Sequence, residues 1–97
     1  MMNQVILVGK LVNEPIIDDD TCTISLAVPR YFKNEDGTYE TDYIPICIQK
    51  RNMFNFAKEF LKKDSIVGIR GRAQMDGNYL KIIAEKMTFM SNGNKED

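Results

Sequence analysis

Much of the chain alternates between apolar and polar residues with a period of two, which is the pattern of strands that bury one face. In segment 21–29 (TCTISLAVP) every second residue is a larger apolar one. In segment 40–50 (ETDYIPICIQK) the isoleucines from Ile44 to Ile48 share one face, whereas Tyr43 and Pro45 lie on the other. Both segments are predicted strands. Pro45 favours an edge or bulge position because it cannot donate a ladder hydrogen bond.

Three further segments rich in Val, Ile and Leu are predicted strands: 3–12, 65–74 and 79–90. Glycines inside the first two, such as Gly9 and Gly71, indicate strong bending of the kind found in barrels. The sequence therefore predicts five strands in a strongly curved sheet.

Turn residues separate these strands. The acidic run 18–20 forms a turn after the first strand, and Asp-Gly at 36–37 marks the tip of a hairpin over 30–39. The tetrapeptide 75–78 (MDGN) joins the last two strands. Its Asp-Gly pair predicts a tight type I′ hairpin.

The spacing of apolar residues changes in segment 52–63 (NMFNFAKEFLKK). From Met53 onward they recur at i, i+3, i+4, i+7 and i+8, which predicts the only helix, with Asn52 as N-cap and lysines in the last turn. Four phenylalanines are predicted to pack in the core, because they have helical spacing or lie in an aliphatic strand. They are Phe54, Phe56, Phe60 and Phe89.

The 97 residues are enough for one hydrophobic core and too few for two. We expect a single domain over residues 1–90 and a short, polar, frayed tail over 91–97. Three strands, a helix and two more strands is the order of the OB fold, an all-β five-stranded barrel with one helix between strands 3 and 4. A generic small α+β domain has the same order, so the order of elements leaves both open.

The composition restricts the chemistry available to the chain. It has no histidine, and histidine is the commonest general base near neutral pH and the commonest metal ligand. Cys22 and Cys47 lie in apolar strands without CxxC spacing, which favours free, packed thiols over a disulfide or metal site. We therefore expect a protein that is not an enzyme and that carries no metal or cofactor.

Hydropathy indicates where in the cell the protein is located, and net charge indicates which partners it can attract. No apolar run approaches the roughly 18 residues of a membrane span, and the N-terminus has no basic region ahead of an apolar stretch. We therefore expect a cytoplasmic protein with no membrane contact. The net charge is −1, so a surface that attracts a polyanion requires local clustering of Lys and Arg.

Several segments resemble one family in the same order along the chain. Segment 3–11 (NQVILVGKL) resembles the first strand of bacterial and phage single-stranded DNA-binding proteins (SSB), 24–28 (ISLAV) their second and 41–48 (TDYIPICI) their third. Segment 56–67 (FAKEFLKKDSIV), followed by Gly-Arg at 71–72, is similar to their helix, turn and fourth strand. This resemblance implies an OB fold that binds single-stranded DNA.

Two features depart from that family. Its hairpin between the fourth and fifth strands is usually longer and carries an aromatic residue, whereas segment 75–79 is short and offers only Tyr79. Bacterial members usually end in a flexible linker and an acidic tip with apolar last residues, which recruits partner enzymes. This chain ends in 94–97 (NKED) without such a tip, so it is similar to a short, phage-like or specialised form, and recruitment of partner enzymes is not implied.

A protein that binds single strands of any sequence needs exposed aromatic rings for the bases and cations for the phosphates. The cluster 30–33 (RYFK) supplies both. By resemblance, Phe32 (or its neighbour, if the register differs by one) and Tyr43 stack on bases, and Arg51 and Lys63 line the path of the strand. The full set of candidate binding residues is Arg30, Tyr31, Phe32, Lys33, Tyr43, Arg51, Lys63, Arg72 and Tyr79.

The expected function is sequence-nonspecific binding and protection of single-stranded DNA in replication, recombination or repair, at the nucleoid. One barrel covers only about 4–16 nucleotides, and members of the resembling family assemble several, so we expect a homo-oligomer, a dimer or tetramer. Its interface is expected at the first strand and the outward residues of the fifth. Two alternatives stay open: a primosome-type OB accessory protein that mainly contacts replication proteins, and an OB barrel that binds only proteins.

Overall fold

The computed structural model describes residues 1–93, which form six strands and one helix. In chain order these are β1 (Val5–Leu11), β2 (Ile16–Asp18), β3 (Thr21–Lys33), β4 (Tyr39–Ile48), α1 (Arg51–Phe60), β5 (Ile66–Asp76) and β6 (Tyr79–Ser91). All five predicted strands are present, with the helix where it was expected. β6 ends at Ser91, the first residue of the predicted tail, and residues 94–97 of that tail lie outside the described residues.

Five of the strands close into a barrel. β1 pairs antiparallel with β5 along most of its length and then with β3 at Lys10 and Leu11. Long antiparallel ladders join β3 to β4 and β5 to β6. A short parallel contact of two residue pairs, which begins at Ile46 and Ile82, joins β4 to β6 and completes the ring. The predicted five-stranded OB barrel is thereby confirmed.

Two glycines allow backbones to approach each other where the barrel bends. At Gly9, where β1 passes from β5 to β3, an added Cβ atom would lie 2.7 Å from the carbonyl oxygen of Ala27. At Gly71, beside a bulge in the β5–β6 ladder, it would lie even closer to the carbonyl oxygen of Ile83. Any other residue would push these strands apart, so both positions require glycine.

The apolar faces of the strands point into the barrel. Ile24 and Leu26 of β3 and Ile46 of β4 are almost completely buried, as the alternation predicted. Met53 and Phe54 of α1 belong to the same cluster. The removal of these side chains from water is the main favourable contribution to the fold.

The predicted helix boundaries were wrong at both ends. The helix covers Arg51–Phe60 rather than 52–63. Lys50, and not Asn52, is the N-cap, and its side chain makes no capping hydrogen bond. Leu61 is extended, and its side chain is buried in the core. Burial of this side chain directs the chain away from the helix axis. Lys62 and Lys63 therefore lie outside the last turn, where Lys58 is the basic residue.

The acidic run 18–20 is not only a turn, because its first residue ends a short sixth strand. β2 pairs antiparallel with β3, from Ile16 opposite Thr23 to Asp18 opposite Thr21. It lies beside the barrel as an edge strand. Three exposed residues are too few to show an alternating pattern, which is why the sequence did not predict this strand.

The turn between β5 and β6 is shifted by one residue from its prediction. The two turn residues are Gly77 and Asn78 rather than Asp76 and Gly77. Of the two, only Gly77 has a positive φ, of 62°. This pattern fits a type II′ turn, which needs a positive φ only at its first central residue, and not the predicted type I′ turn.

Candidate nucleic-acid interface

One face of the β3–β4 ladder points away from the core. On this face small residues of β3 lie opposite alternate residues of β4. The pairs are Thr23 with Cys47, Ser25 with Pro45, and Ala27 with Tyr43. Because small neighbours cannot cover its ring, Tyr43 is 66% exposed, on the side opposite the isoleucines as predicted. Pro45 has no partner on the β6 side among the described residues, which is the edge-like position expected of a proline.

The rings of Tyr31 and Phe32 stack on each other near the end of β3. The ladder shifts its register between Pro29 and Lys33, so three residues of β3 stand against one of β4. Neighbouring side chains of a regular strand point to opposite faces, but an irregularity of this kind can turn them to the same side. The two ring centroids are 4.6 Å apart with 26° between their planes. The residues are 86% and 65% exposed.

The hairpin tip beyond these rings is shorter than predicted, because it comprises 34–38 rather than 30–39. The backbone N–H and the hydroxyl of Thr38 both donate to Oδ1 of Asp36, at 3.0 and 2.6 Å. These hydrogen bonds lower the pKa of the Asp36 carboxyl. The cluster 30–33 therefore belongs to the end of β3, at its register shift, rather than to the loop.

A groove of about 450 Å³ lies between β4 and the β5–β6 hairpin. Tyr79, which is 78% exposed, lines it together with Leu80 and Pro45. β4 and β6 run parallel but pair over only two positions, which leaves the groove between them. The sequence identified Tyr79 but missed Leu80 and Pro45. Counting by twos from Tyr43 would have placed Pro45 on the same face.

Two candidate arginines of the barrel wall are held by carboxylates. Arg30 donates to both oxygens of Asp42, at 2.9 and 3.1 Å. Arg72 donates to Glu85 at 3.1 Å and to the side-chain oxygen of Gln74 at 2.8 and 3.2 Å. The hydrogen bonds from the Arg30 guanidinium hold the pKa of Asp42 below its ordinary value. Both guanidinium groups therefore already have anionic partners.

The third candidate arginine, Arg51, lies at the start of α1. It donates to Asp20 at 3.3 Å, and its guanidinium carbon lies 5.1 Å from the ring centroid of Phe54. The ten residues of β4 separate it from the β3–β4 hairpin. Arg51 therefore lies at the helix end of the barrel.

The two candidate lysines lie in different places. Lys33 ends β3 beside the stacked rings. Lys63 lies between α1 and β5, where its backbone N–H donates to Glu14 at 3.1 Å. The structure thus groups 30–33 with Tyr43 on one hairpin and places Arg72 and Tyr79 on the next. It leaves Arg51 and Lys63 at the opposite end.

The predicted core packing of Phe60 and Phe89 was wrong. Both are exposed and contact the half-buried Phe56, with ring centroids 5.0 and 5.9 Å from its ring. Phe60 is the last residue of α1 and Phe89 lies near the end of β6, so the barrel covers neither. Phe54 is buried as predicted. This aromatic cluster lies beside α1 and not on the β3–β4 face.

Cys22 and Cys47 are both buried, as predicted, and both are free. Burial, together with the neighbouring thiol of Cys47, raises the pKa of Cys22. Within residues 1–93, no three His, Cys, Asp or Glu side chains lie together where they could hold a metal ion. None of the helical structure in this range is long and apolar enough to cross a membrane.

Known proteins resemble this chain over nearly its whole length. Single-stranded DNA-binding protein 3 of Listeria innocua is 36% identical over 104 residues, which cover 93% of this chain and 64% of that protein. Single-stranded DNA-binding protein 1 of Clostridium acetobutylicum is 30% identical, with 92% of this chain and 94% of that protein covered. The chain thus spans just under two thirds of the Listeria relative and almost all of the Clostridium one.

Solved structures share the fold at lower identity. A Plasmodium falciparum SSB in complex with ssDNA matches with a TM-score of 0.79 at 20% identity, covering 94% of this chain and 97% of that one. A mitochondrial single-stranded DNA binding protein from S. cerevisiae gives 0.75 at 21% identity, with 96% and 100% covered. The model of the single-strand binding protein family matches residues 2–90. The chain is therefore a member of the single-strand binding protein family, a family of binding proteins.

Proposed function

We propose that this protein binds single-stranded DNA without sequence preference and protects it during replication, recombination or repair. The observation that carries this proposal is the exposed, stacked pair Tyr31 and Phe32 on the same hairpin as the exposed ring of Tyr43. The core does not need these three rings. Every base has an aromatic face, so such rings bind bases of any kind.

The strand would cross the outward face of the β3–β4 ladder. Ser25, Ala27 and Pro45 form a low surface between the stacked rings and the groove at Tyr79. Bases would stack on the rings, while Lys33, Arg30 and Arg72 contact the phosphates. Arg51 and Lys63, at the other end of the barrel, would contact the phosphates of a longer strand.

The proposed role is binding alone, at the nucleoid in the cytoplasm, without catalysis, metal or cofactor. The chain contains no histidine. The family relationship also supports binding over catalysis. Protection of a strand requires only that its bases and phosphates be covered.

We propose further that the protein acts as a homo-oligomer, a dimer or tetramer joined through β1. From Val5 to Gly9, β1 pairs with β5 on one side and has no partner on the other among the described residues. Ile6 and Val8 are 66% and 49% exposed and line an apolar patch with Met90. A strand edge beside an apolar patch can pair with another strand. In a symmetric (isologous) contact, β1 of a second copy would present the same unpaired edge to β1 of the first.

A titration of tyrosine fluorescence tests the proposed function, since the chain has four tyrosines and no tryptophan. We expect oligo-dT to quench the signal saturably at low salt, because bases stack on Tyr31 and Tyr43. Duplex DNA of equal length should change it much less, because its bases are already stacked. No saturable response to oligo-dT would overturn the proposal.

A second candidate function is contact with other replication proteins. The protein would then be either a primosome-type accessory that also binds single strands or an OB barrel that binds only proteins. The net charge of −1 and the pairing of the arginines with carboxylates favour this candidate, because both weaken attraction for a polyanion. Saturable binding of oligo-dT would exclude the barrel that binds only proteins.

A further inference from the structure

Carboxylates occupy the donors of the two arginines nearest to the proposed strand path. Asp42 binds Arg30 at 2.9 Å, and Glu85 binds Arg72 at 3.1 Å. The same arrangement recurs in two further pairs, Arg51 with Asp20 at 3.3 Å and Lys81 with Asp76 at 2.9 Å. The side chains of all four pairs are at least partly exposed, so a phosphate can reach them.

A phosphate competes for the same donors as these carboxylates. The guanidinium fork fits a carboxylate and a phosphate equally well, through two parallel hydrogen bonds. Asp42 already accepts from Nε and Nη2 of Arg30, and Glu85 and Gln74 accept from three nitrogens of Arg72. A phosphate must therefore displace a carboxylate rather than neutralise a free cation, and the net electrostatic gain is small.

This pairing is not general over the surface. Arg70 and Lys86, which lie opposite each other on β5 and β6, have no carboxylate within salt-bridge distance among residues 1–93. Lys33 has none in that range either. The two paired arginines, Arg30 and Arg72, are those that lie on the hairpins of the proposed path.

The ion pair between Arg30 and Asp42 lies next to the proposed stacking face and not on it. Asp42 and Tyr43 are neighbours on a regular stretch of β4, so their side chains point to opposite faces of the strand. A single strand can therefore stack its bases on Tyr43 without displacing Asp42. Duplex DNA hides its bases and heparin has none, so these polyanions can bind here only by replacing the carboxylate with a phosphate or sulfate.

We infer that Asp42 and Glu85 are specificity-determining residues that make binding depend on free base faces. By holding Arg30 and Arg72, they reject polyanions that offer charge alone, such as duplex DNA or heparin. A single strand is accepted because base stacking adds to the weak electrostatic gain. This inference rests on the proposed function, since it assumes that single strands bind this face.

Neutral replacements of the two carboxylates test the inference. Asp42→Asn, Glu85→Gln and the double variant are compared with wild type for binding to labelled oligo-dT, duplex of equal length and heparin, at several salt concentrations. Each replacement should tighten binding of duplex and heparin by about two- to fivefold, the scale set by one exposed ion pair. The affinity for oligo-dT should rise less, because a strand held by its stacked bases can place a phosphate against Lys33, which has no carboxylate partner among the described residues. The preference for single strands should therefore fall. For single strands, the slope of log K against log salt should steepen by about 0.7 for each additional phosphate that the variant neutralises.

Glu59→Gln is the matched control, because Glu59 is exposed on α1, has no ion pair among the described residues and changes the net charge equally. It should leave both the preference and the slope unchanged. Arg30→Gln combined with Asp42→Asn should abolish the tighter binding that Asp42→Asn alone produces. Thermal midpoints identify a variant that fails to fold, and the second pair then still provides the test.

The possible outcomes separate this inference from the proposed function. Wild-type protein that does not bind oligo-dT would defeat the proposed function. Wild-type protein that binds oligo-dT, with neutral variants whose preference and salt slope equal those of wild type, would overturn the inference alone. A Glu59→Gln variant that matches Asp42→Asn would also overturn it, because net charge and not the ion pair would then explain the change.

Discussion

Replacement of Phe32 or Tyr43 by alanine is expected to weaken binding of oligo-dT by about 1–3 kcal/mol each, the usual loss when a stacking ring is removed. This is a reduction in affinity of about 5- to 150-fold. Both rings are exposed, at 65% and 66%, and neither belongs to the core cluster. The thermal midpoint should therefore stay close to that of wild type. Anisotropy of a labelled oligo-dT measures the affinity, and thermal unfolding measures the stability.

Phe60→Ala is the control for this experiment. Phe60 is also an exposed phenylalanine, but it packs on Phe56 beside α1, away from the β3–β4 face. Its loss should leave the affinity for oligo-dT unchanged. The stacking account fails if Phe60→Ala weakens binding as much as Phe32→Ala. It fails equally if Phe32→Ala lowers the midpoint while the affinity per folded molecule is unaltered.

A charge placed in the apolar patch of β1 is expected to dissociate the oligomer. Wild-type protein should have a mass of two or four times 11.2 kDa by light scattering at micromolar concentration. Ile6→Glu and Val8→Glu should reduce it to that of one chain, because two copies of β1 would bring like charges together in a dry contact. Since both side chains are exposed within one barrel, each variant should still fold.

Ile16→Glu provides the matched control for the assembly experiment. Ile16 is an isoleucine of similar exposure on β2, the other edge strand. Its replacement should leave the mass unchanged. Wild-type protein that scatters as a single chain of 11.2 kDa while it binds DNA tightly would contradict the assembly proposal. A mass altered by Ile16→Glu but not by Ile6→Glu would place the contact at β2 instead.

The sequence predicted those features of the fold that depend on neighbouring residues. The alternation in 21–29 identified β3 and its buried face, because a strand repeats every two residues whatever it pairs with. The orientation of Tyr43 followed from the same rule. The change of period after Lys50 located α1, although not its ends, because its last turn is decided by the burial of Leu61 in the core.

Features that depend on strand register were not predictable in this way. Arg30 and Asp42 are 12 positions apart, and Arg72 and Glu85 are 13 apart. Only the pairing of complete ladders brings them together, so the sequence suggested free cations where the structure has ion pairs. The register shift near Pro29, which lets neighbouring rings stack, also depends on how β3 and β4 pair.

Exposure was predicted least well for aromatic side chains. The helical spacing that correctly placed Met53 and Ala57 in the core also assigned Phe60 to it. A helix presents one stripe to the barrel, and Phe60 lies at its last residue, where the barrel no longer covers it. Periodicity predicts the direction in which a side chain points, whereas its exposure depends on which other residues pack over it.

The most direct test of the central claim is to locate the bound strand on the protein. Amide chemical shifts of ¹⁵N-labelled protein can be followed during titration with oligo-dT. With an oligo-dT too short to reach Arg51, the account predicts that the largest changes occur at 30–33, Tyr43 and Tyr79, while the amides of α1 change little. Changes concentrated on α1 and Phe89, with 30–33 unaffected, would show that the strand binds beside the helix and would contradict the account.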